Sequence, residues 1–224
     1  MMNCLLCNRP LYWQPSIKQI ISFGPLTMPV ICQHCQASFE RYQPPFCPGC
    51  GRSSRNGLCK ECQMWQGQYG WLLHNHCLFH YNDTMKDFMH QYKFVGDYQL
   101  KKVFCDVMQA WIKQQQFDYL IPIPVTKETM LTRGFNQTVG LIGDFDAHFL
   151  LTKAAHKDIP QSAKSREERL KTAQPFMLKE PGRFKQGRIL LVDDIYTTGR
   201  TLYHAAALFK SAGALTVHSL TLSG

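Results

Sequence analysis

The run from Arg188 to Thr201, Arg-Ile-Leu-Leu-Val-Asp-Asp-Ile-Tyr-Thr-Thr-Gly-Arg-Thr, constrains this chain more than any other segment. Arg188 to Val192 reads as a buried strand of β-branched and aliphatic side chains. Asp193 and Asp194 follow it, and a Thr-Thr-Gly-Arg-Thr turn opens a helix from Thr201 to Ala212. Gly213 stands where a helix ends on a left-handed residue. Strand, turn and helix in this order predict an α/β fold with a parallel sheet and right-handed crossovers. At the carboxyl end of a parallel strand, the turn lies where open α/β sheets bind their ligands.

The chemistry of the turn is specific. Backbone N–H groups at a helix N-terminus, joined by the hydroxyls of Thr197, Thr198 and Thr201, make a site for a phosphate. Gly199 allows close backbone approach and a positive φ. Asp193 and Asp194 cannot grip phosphate, but they can accept hydrogen bonds from paired ribose hydroxyls. Phosphate and diol at this spacing describe a ribose 5-phosphate. The plainer alternatives are an acidic pair that binds Mg²⁺ or one that caps the helix.

The segments before it alternate in the same way. Trp71 to Phe79 reads as a strand or extended hairpin, and Thr84 to Tyr92 as a helix with Met85, Phe88, Met89 and Tyr92 on one face. Leu100, Val103, Phe104, Val107, Met108 and Trp111 continue at helical spacing. Tyr119 to Val125 is a compact apolar strand that ends in a loop. Arg133-Gly134-Phe135-Asn136-Gln137 follows, leading into a helix from Asn136 to Gly143. A basic residue beside a glycine just before a helix suits a phosphate or diphosphate. Phe149 to Leu151 is a short strand, Ala154 to Thr172 a polar loop of the kind that serves as a lid, and Ala214 to Leu222 the last strand.

Eight of the ten cysteines lie before residue 63, as four Cys-x-x-Cys pairs: Cys4/Cys7, Cys32/Cys35, Cys47/Cys50 and Cys59/Cys62. The sequence around them is rich in Pro, Gly, Gln and Ser and poor in the periodic apolar patterns that make helices. Such a stretch needs metal to fold. Eight thiols suffice for two tetrahedral Cys₄ zinc sites. Cys47/Cys50 with Cys59/Cys62 suits one compact site and Cys4/Cys7 with Cys32/Cys35 a longer loop, while a cross-braced pairing is equally allowed by spacing. The cysteine pairs give way to aromatic-rich sequence between Met64 and Tyr69, which divides the chain into residues 1–66 and residues 67–224.

No basic stretch followed by an apolar one opens the sequence, and no window of eighteen apolar residues occurs in it. The expectation is a cytoplasmic protein without membrane insertion, in which paired cysteines mean metal rather than disulfides. A net charge of +9 favours polyanionic partners.

Leu190 to Thr201 resembles, almost continuously, the signature of type I phosphoribosyltransferases. With the Cys-x-x-Cys N-terminus, Tyr92-Lys93-Phe94, Ile121-Pro122-Ile123-Pro124-Val125, Arg133-Gly134-Phe135-Asn136-Gln137, Gln161 and Arg166/Arg169, the whole chain is similar to the ComF (ComFC) family of competence proteins. Thr172 and Arg200 depart from residues common in that family. The resemblance implies a type I phosphoribosyltransferase-like open parallel sheet flanked by helices, with a small N-terminal zinc-ribbon-like module. It implies a 5-phosphoribose-1-diphosphate (PRPP) site at Arg133, Asp193, Asp194, Ile195, Tyr196, Thr197, Thr198, Gly199, Arg200 and Thr201, with Mg²⁺ accompanying the ligand. Asp193 and Asp194 would hold the ribose hydroxyls, Thr197 to Thr201 the 5-phosphate, and Arg133 would lie near the diphosphate. Arg169 would close the Gln161–Arg169 hood over it, completing a catalytic set with Asp193 and Asp194. Zn²⁺ would occupy one or two sites among Cys4, Cys7, Cys32, Cys35, Cys47, Cys50, Cys59 and Cys62. The role implied is uptake and processing of single-stranded DNA in natural transformation, in the cytosol, alongside the competence helicase and DNA-processing proteins. The competing reading is an active Mg²⁺-dependent phosphoribosyltransferase of unknown acceptor.

Overall fold

The computed structural model describes residues 2–14, 17, 21, 28–153 and 174–224. Its sheet places β1 (His74–Phe79), β6 (Thr216–Ser223), β5 (Arg188–Ile195) and β2 (Tyr119–Pro122) side by side in that spatial order, every pairing parallel. Two short strands, β3 (Leu151–Lys153) and β4 (Phe176–Leu178), form a separate antiparallel ribbon. Among the described residues the helices are α1 (Gln33–Ala37), α2 (Lys60–Tyr69), α3 (Asp83–His90), α4 (Cys105–Ile112), α5 (Lys127–Arg133), α6 (Gln137–Ile142) and α7 (Arg200–Ser211).

The period of two along β5 builds a core on each face of the sheet. Leu190 and Val192 join a cluster with Met85, Phe88, Tyr92, Met108 and Leu141, contributed by α3, α4 and α6 and the turn after α3. Ile189 and Leu191 join a second cluster with Tyr203, Ala206 and Phe209 of α7. Burial on both faces explains why β5 is apolar without interruption until its carboxylates. Among the described residues β2 pairs with β5 on one side only, and its Pro122 is tolerated because an edge strand has no second strand to need the N–H that proline lacks.

The cysteine-rich segment wraps the outer edge of β1. His80 N–H donates to the Glu40 carbonyl (2.8 Å), Tyr42 N–H to Leu78 (3.2 Å), and Asn75 N–H to Gly49 (2.7 Å). Residues 40–49 thereby cover an edge whose open N–H and C=O groups would otherwise invite pairing. On either side of this crossing, the cysteines enter different cores. Cys4 belongs to the cluster with Leu190 and Val192, whereas Cys47, Cys50 and Cys62 belong to the cluster with Ile189 and Leu191.

Several elements differ from the sequence expectation. β1 begins at His74, because Trp71 turns aside to stack on Tyr203 with ring centroids 5.3 Å apart. The helix over Leu100–Trp111 divides into a 3₁₀ turn (Tyr98–Val103) and α4. Helix α5 occupies what the apolar count leaves as a loop, capped by the Thr126 hydroxyl, which accepts from Thr129 N–H at 3.1 Å. The cysteine-rich segment contains helices after all: both α1 and α2 start directly after the first cysteine of a pair. Among the described residues, no helix is long and apolar enough to cross a membrane.

Candidate functional site

The alternation of β5 decides where its two carboxylates go. Asp193 continues the parity of Ile189 and Leu191 and faces the α7 side; Asp194 continues that of Leu190 and Val192 and faces the α3 side. Both are buried. Asp194 forms an ion pair with the Lys93 ammonium, whose side chain is also largely buried. Lys93 arrives from a π turn (Gln91–Val95) that extends α3 and ends at Gly96, a local widening that is frequent at functional sites. The Asp194 N–H donates to Asp193 Oδ1 at 2.9 Å, and the two carboxyl groups also interact directly.

Their proton affinities part accordingly. Burial, followed by the neighbouring Asp194 charge, pushes Asp193 well above the usual carboxylate range. Burial also works to raise Asp194, but the Lys93 charge and hydrogen bonds outweigh it and hold Asp194 below its usual value. The arrangement is one anionic carboxylate neutralised by lysine and one carboxyl poised to keep its proton. A carboxyl in that state can donate to one hydroxyl and accept from another.

Asp193 opens onto a cavity of about 210 Å³ lined also by Thr126, Arg133, Gln137, Lys153 and Thr201. The Arg-Gly-Phe-Asn-Gln segment builds one wall. Arg133 ends α5, and Gly134 takes the left-handed conformation (φ 82°) that reverses the chain. Asn136 then caps α6, its side-chain oxygen accepting from Thr138 N–H (2.9 Å) while its amide donates to the Ile123 carbonyl (3.0 Å). That second bond fastens α6 to the end of β2 and sets Gln137 in the cavity wall. Arg133 donates to Gln137 Oε1, and its guanidinium lies 5.9 Å from the Phe94 ring centroid.

The turn between β5 and α7 adjoins the cavity, which Thr201 of α7 lines. Thr197 and Thr198 are exposed, and Gly199 caps α7 with φ 78°. A Cβ at Gly199 would collide with the Tyr196 hydroxyl, so both conformation and space demand glycine. Tyr196 is 2% exposed and turns its ring inward, beneath the Arg52 guanidinium at 5.4 Å.

The cysteines gather as Cys4/Cys7/Cys32/Cys35 and Cys47/Cys50/Cys59/Cys62, each set with its sulfurs within 4.8 Å of one another. Cys7 and Cys32 sulfurs lie 3.7 Å apart, and those of Cys50 and Cys59 3.9 Å. A tetrahedron with Zn–S bonds of about 2.3 Å has S···S edges of about 3.8 Å, so both donor sets fit Zn²⁺. Backbone N–H groups of Cys32 and Cys59 point at Cys4 Sγ (3.3 Å) and Cys47 Sγ (3.4 Å), in positions to stabilise thiolates. Of the pairings spacing allows, the fold adopts sequential couples rather than the cross-brace, because residues 40–49 cross the sheet edge between the two sets.

Of the residues expected to bind phosphoribose, Arg133, Asp193 and Thr201 meet at one cavity, with Thr197, Thr198, Gly199 and Arg200 in the adjoining turn. Asp194 and the Tyr196 side chain face elsewhere, and Ile195 packs against the α3-side core. Arg169, with Gln161 and Arg166, lies outside the described residues. Sequence reasoning did not place Lys93, Gln137 or Lys153 at the site. The signal for Lys93 was the polar residue within an otherwise apolar helical extension, Tyr92-Lys93-Phe94.

Residues 151–223 match the family model of the phosphoribosyl transferase domain. The competence protein ComFC of Streptococcus pneumoniae (strain ATCC BAA-255 / R6) is 34% identical over 226 residues, covering 99% of this chain and 99% of its own. ComFC of Bacillus subtilis (strain 168) is 31% identical over 230 residues, covering 98% and 93%. Competence protein F of Haemophilus influenzae is 21% identical over 201 residues, 82% of this chain and 85% of that one. A structure of the allosteric regulatory enzyme of purine biosynthesis aligns over 60% of this chain and 30% of its own, at 17% identity and a TM-score of 0.38. Near-full-length identity above 30% to two ComFC proteins, over a parallel α/β sheet and paired Cys₄ clusters, establishes that this chain belongs to the ComFC family of competence proteins.

Proposed function

We propose that the cavity beside Asp193 binds the phosphoribosyl group of PRPP or a related phosphoribose, in a protein that serves single-stranded DNA uptake and processing in the cytosol during natural transformation. The observation that carries this reading is the convergence of Asp193, Thr201, Arg133 and Lys153 on one cavity at the carboxyl end of the sheet. The start of α7, with Thr197 to Thr201, receives the 5-phosphate. Asp193 meets the ribose hydroxyls, and Arg133 and Lys153 neutralise the diphosphate. Mg²⁺ accompanies the diphosphate and offsets its charge. Asp194 holds Lys93 rather than the ribose. Zn²⁺ fills both cysteine sets, and the net charge of +9 suits a nucleic-acid partner.

Calorimetry with PRPP and Mg²⁺ tests the site: the parent binds and Asp193→Ala does not, and a parent that binds neither PRPP nor ribose 5-phosphate defeats the reading. Diphosphate release, measured with and without single-stranded DNA, separates a binder from a transferase. Gel shifts with single-stranded DNA weaken steeply as salt rises if the contact is electrostatic.

A further inference from the structure

The second cysteine set does more than hold its own segment. Cys59 caps α2, and Cys62 sits in its first turn. Trp65 and Tyr69 follow at intervals of three and four residues, so all three share one face of the helix. Fixing Cys62 therefore fixes the rotation of that face. It is pressed onto α7: Trp65 stacks on Tyr203 at 5.1 Å and Tyr69 at 5.3 Å. Trp65 also reaches past the stack, and its Nε1–H donates to the carbonyl of Thr198 at 2.5 Å. Thr198 is in the phosphate-binding turn, one residue before the left-handed Gly199.

Tyr196 makes a second connection from the other side of the same turn. Its buried hydroxyl has no hydrogen-bond partner among the described residues and lies near the Cys62 sulfur. Its ring is covered by Arg52, which also donates from Nε to Cys50 Sγ (3.4 Å) and pairs with Glu61 of α2. Among the described residues the first cysteine set has no such route, since it joins the core on the opposite face of the sheet.

The geometry points to Trp65 as a positioning residue of the phosphate-binding turn, through which the Cys47/Cys50/Cys59/Cys62 set, when closed by its metal, holds that turn in its ligand-binding shape. This rests on the phosphoribose reading for its ligand but not for its mechanical content, which can be measured without one. α2 delivers the Trp65 N–H to Thr198, and Arg52, held by Cys50 and Glu61, covers the Tyr196 ring, so the turn is gripped at two points.

Trp65→Phe keeps the ring and loses the N–H. Amide hydrogen exchange at Thr197 to Thr201 then accelerates about tenfold, the scale of one net hydrogen bond, and PRPP affinity falls by a similar factor. Zinc content is unchanged, but one of the two metal ions passes faster to a chromogenic chelator, because coupling between sites is reciprocal. Trp71→Phe, in the same aromatic stack without a bond to the turn, alters none of these. Cys59→Ser accelerates the same amides, and the double variant with Trp65→Phe exchanges no faster than Cys59→Ser alone. If the parent fails to bind PRPP, the phosphoribose reading falls while the exchange and metal-release measurements still decide this one. Unchanged exchange in Trp65→Phe, an equal effect from Trp71→Phe, or additive effects in the double variant would overturn it.

Discussion

Replacing Lys93 by Met removes the ammonium and keeps the length of the side chain, leaving Asp194 buried without its cation. Side-chain exposures of 14% for Lys93 and 7% for Asp194 put this pair in the buried class. At an effective dielectric of about 20, unit charges about 4 Å apart attract by about 4 kcal/mol. Breaking a buried pair from one side costs about 3–5 kcal/mol, because the remaining charge stays desolvated. Lys93→Met should therefore lose about 3 kcal/mol of unfolding free energy at pH 8. The sign of the pH dependence follows from the two carboxyls. In the parent, Asp194 lies below its ordinary value, so the stability it contributes is complete above the usual carboxylate range and is lost as the pH falls through it. Without Lys93, burial, the largest influence, is opposed only by the hydrogen bonds of Asp193 and the backbone, so Asp194 moves upward and the native variant gains a proton on acidification. Its deficit against the parent then shrinks by up to about 1.4 kcal/mol per pH unit through that titration. Urea unfolding followed by tryptophan fluorescence at pH 8, 7, 6 and 5.5 measures both quantities. Lys93→Met/Asp194→Asn should recover most of the loss, since no charge is left uncompensated. A deficit under about 1 kcal/mol at pH 8, the scale of an exposed pair, or one that is the same at pH 8 and 5.5, would refute the reasoning.

Gly199→Ala combines a left-handed backbone with a collision at the Tyr196 hydroxyl; a loss of at least about 1–2 kcal/mol is expected in the same unfolding assay, together with loss of PRPP binding. Arg133→Gln removes the cavity's guanidinium and its bond to Gln137, so calorimetry should return weaker PRPP binding with a shallower dependence on salt. Asn136→Ala removes the cap of α6 and the bond to Ile123, with a loss of about 1–2 kcal/mol in urea unfolding. Plasma emission analysis should find two zinc ions per chain, consistent with the two sulfur sets, and cobalt replacement should give tetrahedral thiolate spectra.

The path from β5 through the turn into α7 was legible because every feature of it is local. An apolar run, a glycine at a left-handed position and a helix with a clear apolar face need no distant partner to be recognised. The Arg133-to-Gln137 wall was half legible: Gly134 and Asn136 announced a turn and a cap, while α5 before them has no buried residue to mark it. The pairing of cysteines was beyond the sequence for a definite reason. Cys-x-x-Cys knuckles are interchangeable in chemistry, and only the passage of residues 40–49 along the β1 edge assigns each couple to its side. Trp65 escaped for a related one. The face of α2 that it shares with Cys62 and Tyr69 is made of residues that a count of aliphatic periodicity does not register.

The acidic pair is the instructive case, because its signal was present and read differently. Two adjacent aspartates suggest one clamp for one diol. Adjacent residues in a strand nevertheless point to opposite faces, and here the parity was already fixed by Leu190 and Val192 on one side and Ile189 and Leu191 on the other. Each carboxylate therefore required its own partner. Asp193 has a cavity. Asp194, directed into an apolar core, required a buried cation, which β5 itself does not supply. On that face the π extension of α3 supplies it: the polar residue amid Tyr92, Phe94 and Val95 is Lys93. The charge on Asp194 thus orients a lysine from another element, and the lysine in turn lowers the field in which Asp193 must hold its proton. Tuning of Asp193 therefore comes from the opposite face of the sheet.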